Sequence, residues 1–170
     1  LAELMGGKIT VISDYGKGST FKFVVIQEIV NVEVKEEKSN IISSDYNTFE
    51  GKNALIVDDS KLNLKVAENV LKNFLVTTES VTSGLECLSC VNSKKYDIIF
   101  MDIMMPNMSG EEVLRKLREN GVNTPVIALT ADAIEGQEEK YMSEGFDGYI
   151  SKPINKEKLS YVLNKYLGGK

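Results

Sequence analysis

Short apolar runs alternate with amphipathic segments over the last two thirds of the chain. The apolar runs are rich in β-branched residues and cover residues 54–57, 76–79, 97–101, 125–129 and 147–150. Between and after them, apolar positions recur with helical spacing over residues 61–74, 83–92, 109–119, 132–144 and 155–167. Five strand–helix repeats predict an α/β domain, a doubly wound parallel sheet with helices on both faces.

Local signals agree with these boundaries. Ser60 and Ser109 directly precede helical segments and are residue types that cap helix N-termini. Gly121 and Gly145 stand where the third and fourth helices should end. The repeat therefore predicts a domain over residues 51–170.

The first 50 residues follow a different pattern. Residues 1–26 begin as the end of a helix, stopped by two glycines, and continue as two alternating segments around the turn DYGKG. This pattern predicts an antiparallel hairpin, which cannot enclose a core by itself, so we expect more chain upstream. Residues 27–50 carry more acidic than basic residues and show no clear period. We interpret them as an acidic linker.

Reactive side chains follow four of the five predicted strands. They are Asp58, Asp59, Asp102, Thr130 and Lys152. Because the carboxyl ends of parallel strands meet at one edge of an open sheet, these groups should share one pocket. For a single aspartate, a role as a strand-end cap or turn residue would be the better interpretation. Five suitable residues at four strand ends favour a functional site instead.

The expected chemistry of this pocket involves phosphate and a hard cation. Three close carboxylates repel one another unless a cation or protons neutralise them, and Mg²⁺ prefers oxygen ligands of this kind. Asp102 could then attack a phosphoryl group as a nucleophile. Lys152 would offset the charge on the transferring oxygens, and the Thr130 hydroxyl could donate to one of them.

Four segments give the region a family resemblance: IVDDS, FMDIMMPNMSG, ALTA and YISKP. Through them, residues 51–170 resemble the receiver domain of two-component response regulators. The resemblance implies a five-stranded flavodoxin-like sheet in the order 2-1-3-4-5 and phosphorylation of Asp102. It also implies that Asp58, Asp59 and the Met104 backbone carbonyl join Asp102 in holding Mg²⁺.

The same resemblance implies a conformational switch. Phosphate on Asp102 would draw Thr130 inward, and Tyr149 would turn into the space that Thr130 leaves. This movement would reshape the surface formed by the fourth helix, fifth strand and fifth helix of the domain. The physical principle is a local change of charge that biases an element with two arrangements.

The segment LAELMGGKITVISDYGKGSTFKF resembles the last helix turns and final hairpin of a histidine kinase ATP-binding domain. The main nucleotide-binding boxes of that family lie upstream, so we do not expect this chain to bind ATP. Together with a linker and a receiver, the segment is typical of the C-terminal part of a hybrid histidine kinase. The expected partners are a phosphohistidine donor and a histidine phosphotransfer protein. The parent would be a kinase, whereas this chain would catalyse only its own phosphotransfer and dephosphorylation.

Two alternatives remain open at this point. A free-standing response regulator could act by phosphorylation-dependent protein binding, with residues 1–50 as an extension. A haloacid-dehalogenase-like phosphatase would also use a strand-end aspartate and Mg²⁺. That class needs a second aspartate two residues after the first, and here Ser60 follows Asp58 and Met104 follows Asp102 at this spacing.

Composition excludes several other classes. The chain has no histidine, so histidine-based catalysis within it is impossible, and its net charge of −5 argues against nucleic-acid binding. No apolar run approaches the length of a membrane span. Two cysteines favour a reducing, cytoplasmic setting. Cys87 and Cys90 lack further soft ligands for zinc, and we expect them to be small residues on the core side of a helix.

Overall fold

The computed structural model describes residues 7–24, 46–131 and 137–168. The described residues fall into two compact units, a hairpin within residues 7–24 and an α/β domain formed by the rest. The hairpin pairs β1 (Lys8–Asp14) with β2 (Gly18–Val24) in antiparallel register. This confirms the predicted hairpin and its turn. Most of the expected linker, residues 27–45, lies outside the described residues.

In its described residues, the α/β domain contains five strands and five helices in alternation. In chain order they are β3 (Asn53–Val57), α1 (Lys61–Lys72), β4 (Thr77–Val81), α2 (Gly84–Ser93), β5 (Ile98–Asp102), α3 (Gly110–Glu119), β6 (Val126–Thr130), α4 (Gln137–Ser143), β7 (Gly148–Ser151) and α5 (Lys156–Leu167). The strand order is β4-β3-β5-β6-β7, and every neighbouring pair is parallel. Counted within the domain this order is 2-1-3-4-5, which confirms the predicted topology. The predicted start of the fourth helix, residues 132–136, lies outside the described residues.

Alternating strand residues supply two hydrophobic layers. Ile56, Phe100 and Leu129 lie in one layer, against buried side chains of α1 and α5. Val57, Met101 and Ala128 lie in the other layer, against α2 and α3. Because both faces are covered, the three central strands contain almost only apolar residues, as their sequences predicted.

The helix ends follow the predicted signals. The Ser60 side chain accepts from the Asn63 amide at the start of α1. Ser109 and Glu112 form a complete capping box at the start of α3. Gly121 and Gly145 follow α3 and α4 with φ of 75° and 98°, a backbone conformation that glycine adopts without steric cost.

The domain begins earlier than the sequence indicated. Phe49 is 7% exposed and lies in the core layer of α1 and α5. The Tyr46 ring packs edge-on against Phe74 with centroids 5.6 Å apart, and the Asn47 side chain donates to Asn164 at 2.5 Å. Residues 46–50, which we assigned to the linker, are therefore part of the folded domain. Their two aromatic side chains bury apolar surface, whereas a linker would leave them in water.

Candidate functional site

The residues predicted to react lie at the carboxyl ends of four parallel strands. Asp58 and Asp59 follow β3, Asp102 and Thr130 are the last residues of β5 and β6, and Lys152 follows β7. This edge of the sheet collects side chains that are far apart in the sequence, because parallel strands end at the same side.

Three of these residues form an acidic cluster. One carboxylate oxygen from each of Asp58, Asp59 and Asp102 lies within 4.8 Å of the others. Asp58 is fully buried and Asp102 is 6% exposed, whereas Asp59 is exposed. Two carboxylates with little access to water and one that faces solvent carry concentrated negative charge.

Lys152 joins the two buried carboxylates. Its Nζ lies 2.7 Å from Asp58 Oδ2 and 2.9 Å from Asp102 Oδ2. Burial lowers the pKa of Lys152, but the hydrogen bonds and charges of Asp102 and Asp58 outweigh this effect and raise it overall. Burial raises the pKa of Asp102, and the Lys152 ammonium only partly opposes this rise. Lys152 is therefore a charged donor fixed between two acceptors.

Asp58 is held from three further directions. Its Oδ1 accepts from the Ser60 amide at 2.9 Å and from Asn63 Nδ2 at 3.0 Å, and its Oδ2 lies 3.2 Å from Asn63 Nδ2. The Asp58 amide itself donates to the Val81 carbonyl on β4. Asn63 was not among the predicted site residues. Its position in the first turn of α1, directly after the paired aspartates, is the signal that would have found it.

The loop after β5 folds back on the strand that carries Asp102. The Met104 amide donates to Asp102 Oδ1 at 3.2 Å, and the Gly110 amide donates to the Ile103 carbonyl at 3.0 Å. A Cβ on Gly110 would lie 2.3 Å from the Asp102 carbonyl oxygen. Only glycine allows α3 to start this close to the strand end, and the sequence analysis gave Gly110 no role.

Thr130 and Tyr149 both lie beside Tyr141 of α4. The Thr130 hydroxyl is 2.9 Å from the Tyr141 hydroxyl, and the Thr130 carbonyl accepts from the Lys152 amide at 2.7 Å. Tyr149 is half-buried, and its ring centroid lies 6.1 Å from that of Tyr141. Like Asn63 and Gly110, Tyr141 was not among the residues that the sequence analysis predicted for the site.

Cys87 and Cys90 lie away from this edge, on α2. Both are free thiols, and Cys87 is fully buried in the core layer of α2 and α3. Burial, with the neighbouring Cys90 adding to it, raises the pKa of the Cys87 thiol to about 12. The prediction that these cysteines are packing residues is confirmed.

A family model for the response regulator receiver domain matches residues 54–164. The chain belongs to the response regulator receiver family. The five-stranded sheet and the acidic edge described above are thus those of a receiver domain. No helix in the described part of this receiver chain has the length and hydrophobicity that a bilayer span requires.

One curated relative of this chain is a sensor protein. The aerobic respiration control sensor protein ArcB of Escherichia coli K12 is 32% identical over 169 residues, which cover 98% of this chain and 21% of ArcB. The chain thus spans about a fifth of the length of the curated relatives it matches first.

Among the solved structures that share the receiver fold, two bear on the metal site and the partner. One is the receiver domain of the sensor histidine kinase PA1611 from Pseudomonas aeruginosa PAO1, which has a magnesium ion in its active-site cleft. It is 31% identical to this chain with a TM-score of 0.62, and the match covers 70% of this chain and 99% of that one. The other is the receiver domain of Ssk1 from Saccharomyces cerevisiae in complex with the histidine phosphotransfer protein Ypd1; this match is 25% identical, has a TM-score of 0.65, and covers 72% and 92% of the two chains.

Proposed function

We propose that this receiver takes a phosphoryl group from a phosphohistidine onto Asp102, in a Mg²⁺-dependent reaction, and then passes it to a histidine phosphotransfer protein or loses it to water. The observation that carries this proposal is the ammonium of Lys152 between Asp58 and Asp102. It places a fixed positive charge next to the carboxylate that would bear the phosphoryl group.

Asp102 has the position and contacts of a nucleophile. Its Oδ1 accepts from the Met104 amide and its Oδ2 faces Lys152, so the carboxylate is oriented from both sides. In the transfer, a carboxylate oxygen forms a bond to phosphorus while the bond from phosphorus to the donor's imidazole nitrogen breaks. The imidazole leaves with the electron pair, and Lys152 offsets charge on the phosphoryl oxygens.

The donor set of the cluster fits Mg²⁺. All three side chains offer carboxylate oxygens, which are hard ligands, and among the described residues the cluster includes no cysteine or histidine ligand. Asp58, Asp59 and Asp102 would hold the ion together with the Met104 backbone carbonyl. Asp58, which already contacts three donor groups, would also orient Lys152. When bound, the cation neutralises negative charge on the carboxylates and the phosphoryl oxygens.

Thr130 and Tyr149 would transmit the phosphorylation state. The Thr130 hydroxyl would donate to a phosphoryl oxygen, and Tyr149 would respond at the surface formed by α4, β7 and α5. The half-buried position of Tyr149 supports this role, because a modest rotation changes its exposure.

The parent protein would be a hybrid histidine kinase. ArcB, whose match covers 98% of this chain, is a sensor protein, and the receiver of Ssk1 was solved with a histidine phosphotransfer protein. These relatives support a phosphohistidine donor and a phosphotransfer acceptor as partners. Residues 1–26 would be the end of the kinase ATP-binding domain, residues 27–50 would include the linker, and residues 51–170 would form most of the receiver.

The hairpin supports the first of these assignments. Ile9 pairs with Phe23, and Val11 pairs with Phe21, on one face of the two-stranded ribbon. These four side chains are between 56% and 75% exposed. A two-stranded ribbon with such a face needs further sheet or helix to cover it, which a kinase domain upstream would supply.

The decisive experiment is site-resolved phosphorylation of the whole chain. Acetyl phosphate or a phosphorylated cognate kinase should label the chain with Mg²⁺ present and fail to label it after chelation. Mass spectrometry should place the phosphate on Asp102, and Asp102→Asn should abolish labelling. The matched control is Asp97→Asn, because Asp97 precedes the same strand at its opposite end and contacts Lys52 on the surface. Phosphate on another residue, or loss of labelling in the control, would refute the assignment.

Lys152→Ala tests the coupling part of the proposal. This variant should still bind Mg²⁺, because the carboxylates remain, but phosphorylation should no longer change the environment of Tyr149. Mg²⁺ affinity can be measured by calorimetry, and the Tyr149 environment by its NMR signals. An unchanged phosphorylation-dependent shift at Tyr149 would count against this role for Lys152.

A further inference from the structure

Tyr141 is a buried residue of α4 that contacts Thr130 at the carboxyl edge of the sheet. Its side chain is 3% exposed, and that of Thr130 is 5% exposed. Their hydroxyl oxygens lie 2.9 Å apart, within hydrogen-bond distance. Each hydroxyl has a single proton to donate, and a buried hydroxyl that loses a hydrogen-bond partner destabilises the folded state.

The Tyr141 ring is fixed by its neighbours. It meets Phe146 edge-on, with centroids 6.4 Å apart and planes at 90°, and it lies 6.1 Å from the Tyr149 ring at 35°. The hydroxyl of Tyr141 therefore cannot follow a displaced Thr130 unless the rings around it also move. Tyr149, which half-faces the surface, is one of these rings.

We propose that Tyr141 is a positioning residue that holds the Thr130 hydroxyl in the unphosphorylated receiver. This inference rests on the proposed function, because it concerns the hydroxyl that would contact the phosphoryl group on Asp102. When Thr130 turns towards that group, its bond to Tyr141 is weakened or lost, and the Tyr141 ring is released from one of its restraints. Tyr141 thus opposes the phosphorylated arrangement and links Thr130 to Tyr149.

The test is a titration with beryllofluoride, a mimic of the phosphoryl group, in the presence of Mg²⁺ and with the whole chain. Tyr141→Phe removes only the hydroxyl, so the competing bond disappears while the ring packing stays. The half-saturating beryllofluoride concentration should fall by about 2- to 10-fold, the ratio that corresponds to a typical net hydrogen bond. The control Tyr161→Phe removes a hydroxyl from a tyrosine that is 69% exposed, and it should leave this concentration unchanged.

NMR adds a measurement that a purely structural role would not alter. Without beryllofluoride, the backbone signals of Thr130 and Tyr149 in Tyr141→Phe should move part of the way towards their bound positions. Equal or weaker beryllofluoride binding by Tyr141→Phe, with wild-type binding intact, would overturn this inference alone. Failure of the wild-type chain to bind beryllofluoride would overturn the proposed function as well.

A second measurement needs no ligand. In a double-mutant cycle, Tyr141→Phe and Thr130→Val should show a coupling in urea unfolding that is distinct from zero, because each variant removes the same hydrogen bond. Their separate effects on stability should therefore sum to more than the effect of the double variant. Strict additivity would mean that the two hydroxyls do not interact, and would overturn the inference.

Discussion

Gly110→Ala tests how closely the fold around Asp102 is packed. The added Cβ would lie 2.3 Å from the Asp102 carbonyl oxygen, 3.0 Å from Ile103 Cα and 3.1 Å from the Asp102 carbonyl carbon. All three are backbone atoms, so no side-chain rotation relieves the overlap. Ordinary contact between nonbonded atoms requires about 3.5 Å, so α3 and the end of β5 must separate by about 1 Å.

The cost can be worked from these contacts. Overpacking of this kind destabilises a protein by about 1–3 kcal/mol, and the gain of alanine over glycine in a helix returns about 0.5–1 kcal/mol. We expect a net loss of about 1–2 kcal/mol, which lowers Tm by roughly 2–8 °C for a chain of this size. A displacement of about 1 Å at a reacting group slows a reaction by roughly 100-fold. Phosphorylation of Asp102 should therefore slow far more than the stability loss explains.

The assay combines urea unfolding with the rate of Mg²⁺-dependent labelling by acetyl phosphate. Gly121→Ala is the matched control, because Gly121 has φ of 75° and no heavy atom within 4 Å of an added Cβ. The Gly121→Ala variant should be about 1 kcal/mol less stable because of backbone strain, and it should keep the wild-type labelling rate. Wild-type stability and rate in Gly110→Ala, or an equal loss of rate in the control, would refute the argument.

Three further predictions concern stability, each measured by urea unfolding. Phe49→Ala should cost about 3 kcal/mol, because Phe49 is 7% exposed in the core; wild-type stability would instead mean that residues 46–50 are only a linker. Glu79→Gln should be less stable than wild type at pH 7, because hydrogen bonds from Lys94 and Tyr96 lower the pKa of Glu79 below 4.5. The difference in stability should close as the pH falls below that value. A difference that is independent of pH would contradict this prediction. Arg118→Lys should cost about 1–2 kcal/mol, because Arg118 donates to two backbone carbonyls and one carboxylate. Arg115 is exposed, so Arg115→Lys should change the stability by less than about 0.5 kcal/mol. Equal effects of the two substitutions would argue against a stabilising role of the Arg118 hydrogen bonds.

The fold followed from the sequence because each local signal pointed to the same arrangement. The almost wholly apolar runs at residues 97–101 and 125–129 are typical of strands covered on both faces, and the segments with helical spacing between the strands predict the helices that cover them. The sequence analysis placed the start of the domain at residue 51, and it had no signal for the packing of the residues just before it. Tyr46 and Phe49 are isolated aromatic residues in a polar stretch, and only their contact with Phe74 and the core shows that they are buried.

The sequence by itself determined which candidate reactive side chains this domain carries and which strands they follow. The alternation of strands and helices predicted a parallel sheet, so three aspartates, a threonine and a lysine after its strands were expected to meet at one edge. Such an edge favours a hard cation and a phosphoryl group. Because the chain has no histidine, it cannot supply a histidine nucleophile, general base or metal ligand of its own.

Only the tertiary structure decided how these side chains are held. The bridge from Lys152 to both buried carboxylates, the amide of Asn63 on Asp58, and the hydroxyl of Tyr141 on Thr130 join residues between 5 and 94 positions apart. No local pattern in the chain encodes such distances, because they depend on how the helices pack against the sheet to within a fraction of an ångström. The types and positions of the candidate residues are properties of the sequence, whereas packing sets the distances and orientations between them.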